Sequence, residues 1–168
     1  MRPPDGAPAR TSAPSADAAG SGRSCYPAAV NLDAPVSTIM SSEIHSLQLR
    51  QHISDARTLM TRHAIHHVPI VDAGRLVGLL SATDVIALGF GEQPEGAAPI
   101  AAYIDRRYAL ADLMQRDLVT IGAEQSIRKA AELLSGGTFH ALPVVDGDGH
   151  LLGMVTSTDL VRLLRDLG

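Results

Sequence analysis

The sequence predicts a mixed α/β (α+β) fold of two pseudo-symmetric repeats, each ordered β-α-β-β-α and packed against the other. Three observations carry this. First, the chain repeats itself. At an offset of 74, Met40 falls on Met114, Ser46 on Thr120, Ala56 on Ala130, His66 on His140 and Pro69 on Pro143. Second, one residue is inserted in a turn, DGDGH against DAGR, after which the offset is 75. Gly78 then falls on Gly153 and Thr83-Asp84 on Thr158-Asp159. A turn is where a duplicated unit tolerates an insertion. Third, in each copy a helical periodicity precedes two apolar runs flanking a turn.

The elements follow in order. Residues 1–33 open with MRPPDGAPARTSAPSADAAGSGRS, rich in Pro, Ala, Gly and Ser. Such a stretch buries little surface and is expected to be a disordered tail, without the apolar centre of a signal peptide. The first unit is expected over 34–90 and the second over 108–168. Each starts with a short apolar segment, VSTIM or LADLM, followed by a brief strand near 44–47 or 118–121. Ile53, Ala56, Leu59 and Met60 then form a helical stripe, as do Ile127, Ala130, Ala131 and Leu134. Ser126 is positioned as N-cap of the second helix and Gly136-Gly137 as its stop. HVPIVDAGRLVGLLS and ALPVVDGDGHLLGMVT read as hairpins with nearly continuous apolar runs, the mark of strands covered on both faces. SATD and TSTD open the last helices. A linker over 91–107 combines a Gly/Pro-rich loop with a connecting helix, IAAYIDRRYALADLM. A unit of about 50 residues is marginal alone, and two copies packed about a pseudo-twofold would bury the apolar faces of both. Aromatics are only 3% of the chain, so Leu, Val, Ile and Ala must fill it.

Composition narrows the function. The net charge of −4 argues against a nucleic-acid binder, which needs a basic face. Cys25 is the single cysteine, so neither an internal disulfide nor a cysteine zinc site is expected, and a cytoplasmic location fits. No apolar run reaches the roughly 18 residues of a membrane-spanning helix. Catalysis has little support, because HExxH, GxSxG and P-loop patterns are absent and the acids of the two copies are symmetry mates.

SATD and TSTD have a reading that needs no ligand. A hydroxyl at the N-cap with an acid three residues on is a capping box, here with Asp for the usual Glu. His63, His66 and His67 also invite a metal reading, but the second copy keeps only His140, and a structural zinc site wants four ligands.

Taken together, the leading Met, the Ser/Thr strand, the Ala-Leu helix, HHVPIVD or HALPVVD, and G-x-x-[ST]-x-T-D resemble a tandem pair of CBS (cystathionine beta-synthase) domains, a Bateman module. The resemblance spans about residues 36–165. It implies a stand-alone regulatory module, not an enzyme, requiring no cofactor. It implies an adenosyl ligand, AMP, ADP, ATP or S-adenosylmethionine, bound in clefts between the copies. It also implies a disc-shaped homodimer and a regulated partner protein. By the same resemblance, the motif's Ser/Thr and Asp are ligand contacts: Ser81, Thr83 and Asp84, with Thr156, Thr158 and Asp159. A carboxylate accepts two hydrogen bonds from a ribose diol, and a helix start offers free N–H groups to phosphate. Ser46 and Thr120 would lie beside the purine, and His66 and His140 beside base or phosphate. Arg75, Arg128, Lys129 and Arg162 are the cations available to a phosphate. Two rival readings are a ligand-independent interaction module and a histidine-based metal sensor.

Overall fold

The computed structural model describes residues 31–91 and 100–166. The expectations for most of the tail, with Cys25, and for the Gly/Pro-rich loop lie outside these residues. After a 3-10 turn at Val36–Thr38, the first half runs β1 (Leu47–Gln48), α1 (Ile53–His63), β2 (His67–Asp72), β3 (Arg75–Ser81) and α2 (Ala82–Gly91). Then come α3 (Ile100–Arg107) and α4 (Leu110–Leu113). The second half repeats the order: β4 (Ile121–Gly122), α5 (Ile127–Ser135), β5 (Ala141–Val145), β6 (Leu151–Thr156) and α6 (Ser157–Arg165).

Each half carries one three-stranded sheet, β1-β2-β3 or β4-β5-β6. Leu47 pairs in parallel with Ile70, and Ile121 with Val144. A parallel pair needs a crossover, which α1 and α5 supply. The hairpins pair antiparallel, and both slip register at one repeat position, Ile70/Val71 and Val144/Val145. Val68 to Val71 and Ala141 to Val144 are buried without a break, as the apolar runs demand. α5 starts as its sequence dictates: the Ser126 hydroxyl accepts the Lys129 N–H at 3.2 Å.

Two expectations need correction. The early strands lie later than expected, sharing only Leu47 and Ile121 with the forecast segments. Residues 44–46 leave the sheet before pairing with β2. The connecting helix is also broken. Ala109 is extended (φ −93°, ψ 158°) and its N–H donates to the Asp112 carboxylate at 2.9 Å, so α4 starts afresh with its own cap.

The halves exchange their leading segments. Val36 is fully buried in the core of the second half, with Ile121, Leu142, Val144 and Val155. Leu110 and Met114 are buried in that of the first, with Ile53, Ile70 and Leu80. Backbone pairing follows the same cross: Ser41 N–H donates to Met154 O (2.9 Å) and Gln115 N–H to Leu79 O (2.9 Å). Gly78 and Gly153 make this possible. A β-carbon on Gly153 would stand 2.6 Å from Met40 Sδ, and one on Gly78 would stand 2.7 Å from Met114 Cγ. The repeated Met and the repeated Gly are therefore one contact, made twice between opposite halves.

Candidate ligand cleft

The helix-opening phrases fold as capping boxes. In the second copy the Thr156 N–H and hydroxyl both donate to Asp159 Oδ2, at 2.8 and 2.7 Å, and the Asp159 N–H donates back to Thr156 Oγ1 at 3.3 Å. Ser81 and Asp84 repeat this at 3.1, 2.6 and 3.3 Å. Capping uses the first and last residue of each phrase. It leaves Thr83 and Thr158 exposed, with no hydrogen-bond partner among the described residues. Each histidine at the repeat position is tied to a helix start: His66 O accepts the Ala82 N–H (2.8 Å) and His140 O that of Ser157 (3.1 Å).

These parts meet in one cleft of about 800 Å³ between the halves. Of the sequence-predicted residues, His66, Ser81, Thr83, His140, Thr156, Thr158 and Asp159 line it. Ser46, Asp84 and Thr120 do not. The Asp84 carboxylate faces its own cap, Thr120 is exposed elsewhere, and Ile44 and His45 take the wall beside Ser46. Among the four candidate cations only Arg162 reaches the cleft. Arg128 pairs with Asp33 (3.2 Å), Lys129 with Glu132 (3.6 Å), and Arg75 lies against Gly149 in the opposite turn. Sequence reasoning missed Glu43, His45, Ile65, His67 and Met154 as lining residues. The His66-His67 doublet was the one available signal, since alternate strand residues face opposite ways but a strand's first residue borders the cleft on either face.

Asp159 differs from its mate. It is 8% exposed, and its second oxygen, Oδ1, accepts from Arg162 Nη1 at 3.1 Å. The position equivalent to Arg162 in the first copy is Ala87. The duplicated motif is therefore asymmetric in charge. His67 has its pKa pushed below the usual histidine value, first by burial, then by His66 and His140, with Asp84 opposing. His63 does not join these residues; it stacks on His45 with ring centroids 3.6 Å apart. Among the described residues, the group whose ligand atoms converge within 4.8 Å is Asp146, Asp148 and His150, in the β5–β6 turn. There the Asp146 carboxylate accepts the N–H groups of Asp148 and His150, and the latter bond chiefly lowers its pKa.

No described helix is long and apolar enough to cross a membrane. The chain is 33% identical over 126 residues to homoserine O-acetyltransferase of Methanocorpusculum labreanum, a match covering 74% of this chain and 23% of that enzyme. It thus spans about a quarter of the length of that relative. It is 26% identical over 125 residues to the CBS domain-containing protein YhcV of Bacillus subtilis, covering 74% of this chain and 81% of that one. Among solved structures it resembles CBSX2 in complex with AMP (TM-score 0.66, 27% identity, 80% of this chain and 98% of that one). It also resembles the CBS domain pair of protein MJ0100 in complex with 5'-methylthioadenosine and S-adenosyl-L-methionine (TM-score 0.64, 25% identity, 80% and 98%). The CBS domain family matches residues 36–90 and again 110–166, so the chain belongs to the CBS-domain proteins and carries a tandem pair.

Proposed function

We propose that the chain is a regulatory module, not an enzyme. It binds an adenosine-containing ligand, AMP, ADP, ATP or S-adenosylmethionine, in the cleft between its repeats and passes the change to a partner protein in the cytoplasm. One observation carries the reading: two helix starts, two unengaged threonine hydroxyls and the Asp159 carboxylate converge on one cleft lined by both copies. Relatives solved with AMP and with S-adenosylmethionine support the ligand class. The contacts assigned here are His66, Ser81, Thr83, His140, Thr156, Thr158 and Asp159. Because the cleft joins two halves, a ligand shifts their arrangement to the extent that it binds one arrangement better than another.

Counting acceptors defines how the ribose enters. A carboxylate offers about four lone-pair sites. Thr156 N–H, Thr156 Oγ–H and Arg162 occupy three of those on Asp159. A diol needs two, so it displaces Arg162. The freed guanidinium then stands in the same cleft, available to a phosphate. Isothermal titration with the four ligands tests the proposal. Saturable binding by at least one adenosyl compound is expected, and no heat from any of them at millimolar concentration would leave the interaction-module reading.

A second surface supports the homodimer. Ile86 on α2 and Val161 on α6 are 56% and 62% exposed and occupy the same repeat position, with Leu164 61% exposed on α6. Equivalent apolar patches on pseudo-symmetric helices suit a self-complementary contact with a second copy. The double variant Val161→Glu, Leu164→Glu is expected to sediment as a monomer where the wild-type chain sediments as a dimer. Identical sedimentation of the two would remove this interface.

A further inference from the structure

The charge in the cleft does not suit a phosphate as it stands. Among the described residues, Arg162 is its one lysine or arginine, and it is already paired with Asp159. Glu43 adds a second carboxylate to the wall. Even after a diol releases Arg162, one fixed cation faces two fixed carboxylates, before the phosphate brings its own charge of nearly −2. The remaining groups able to become positive are histidines. His45 stands on the segment before β1, stacked on His63; His66 and His67 come from the entry to β2, and His140 from the entry to β5. The entries to β2 and β5 are anchored to opposite helix starts by the His66 and His140 carbonyls.

We propose that His66, His67 and His140 are the proton-accepting half of a phosphate receptor, so that this cleft takes up protons when it binds a phosphorylated adenosine ligand. The inference rests on the cleft reading above and adds the ligand's charge class and its regulation by pH. All charged neighbours enter the balance. His45 and Glu43 lie on the segment before β1, with His63 stacked on His45 from the end of α1. Asp84 is at the start of α2, and Asp159 and Arg162 are on α6. In the free cleft, burial and then the neighbouring His66 and His140 push the His67 pKa down, with Asp84 opposing. A bound dianion leaves the burial in place but brings an opposite charge within reach, which favours the protonated imidazole. The bound cleft therefore holds protons more tightly than the free one. Affinity rises as pH falls through the range where the bound cleft takes up its proton, and it levels off below the range where the free cleft does. The same linkage makes S-adenosylmethionine, which lacks a phosphate, indifferent to the histidines.

Titration calorimetry with AMP and adenosine, at pH 7 in buffers of differing ionisation enthalpy, tests this. AMP is expected to take up about half a proton to one proton and to bind roughly 5- to 10-fold tighter at pH 6.5 than at pH 8. Adenosine is expected to show neither effect. A cationic site that merely selects the phosphate dianion releases protons, whereas uptake places the proton on the protein or on a phosphate bound as the monoanion, and the histidine variants separate these two. His66→Gln, His67→Gln and His140→Gln, each checked for native circular dichroism, should each remove part of the uptake. Adenosine and AMP binding without uptake, adenosine binding with AMP excluded at both pH values, or uptake intact in all three variants overturns the inference while the cleft reading stands. Binding by neither overturns the inference, and the cleft reading falls with it only when ADP, ATP and S-adenosylmethionine also fail to bind.

Discussion

Replacing Asp159 by asparagine is expected to weaken AMP binding by about 100-fold, while the equivalent Asp84→Asn leaves it within about twofold. Two ribose hydroxyls donate to a charged acceptor, each such bond contributing about 1.5–3 kcal/mol, less the cost of displacing Arg162. The two aspartates have the same local job. Each accepts from the backbone and side chain of its N-cap residue. What separates them is placement, because Asp159 lines the cleft and Asp84 does not. An asparagine keeps one oxygen for the N-cap N–H, so both variants should lose no more than about 1 kcal/mol of stability. Asp159→Ala removes that acceptor from a nearly buried helix start and should cost about 1–3 kcal/mol. Calorimetric Kd values beside urea midpoints decide the matter. Equal binding losses at Asp84 and Asp159 would put the ligand where this cleft is not. Intact binding in Asp159→Asn would reduce the motif to a cap.

Much of this arrangement was legible in the sequence because the duplication doubles every weak signal. A single His-x-x-Pro or Thr-Asp carries little, but His66 over His140 and Thr83-Asp84 over Thr158-Asp159 fix a unit and its boundaries. The hairpins and the two amphipathic helices are set by local apolar period, which survives into the fold. The errors fall where partners are distant in sequence. Ile44 and Ser46 have the composition of a strand, yet the segment bends toward the cleft and only Leu47 and Gln48 pair. The connecting helix reads as continuous because Ala109 has every propensity to be helical. The fold breaks it there so that Leu110 and Met114 can enter the first-half core. Ser46, Asp84 and Thr120 share their repeat positions with Thr120, Asp159 and Ser46, yet of these only Asp159 lines the cleft formed by the described residues. The described cleft takes strand residues from both copies, His67 and Pro69 with Met154 and Thr156, but its arginine from the second alone. Pseudo-symmetry of backbone does not carry symmetry of charge, as Arg162 against Ala87 shows.

The exchange of leading segments makes the paired glycines the sharpest test of the fold, and it ranks them. Gly78→Ala is expected to destabilise the protein by about 2–3 kcal/mol and Gly153→Ala by about 1–2 kcal/mol, the range for overfilling a packed interior. The order follows from what each new methyl meets. At Gly78 the obstacles include Met114 Cβ at 3.0 Å, an atom fixed to the backbone that no side-chain rotation moves, and Met114 is buried. At Gly153 the nearest atom is Met40 Sδ at 2.6 Å, near the end of a flexible side chain that can rotate away. A residual cost remains there, because Ser41 O at 3.1 Å belongs to the backbone bridge with Met154. Double-mutant cycles separate these contributions. In a Met40→Ala background the Gly153→Ala penalty should fall by at least about half, because only the Ser41 contact is left. In a Met114→Ala background the Gly78→Ala penalty should fall less, because Cβ stays in place. Urea denaturation of the six variants measures both cycles. Penalties that ignore the methionine would mean that the halves are not held by these contacts. Because each contact joins a leading segment of one half to the sheet of the other, either glycine variant should lower one cooperative transition for the whole chain. A separate early transition for one half would contradict the exchange.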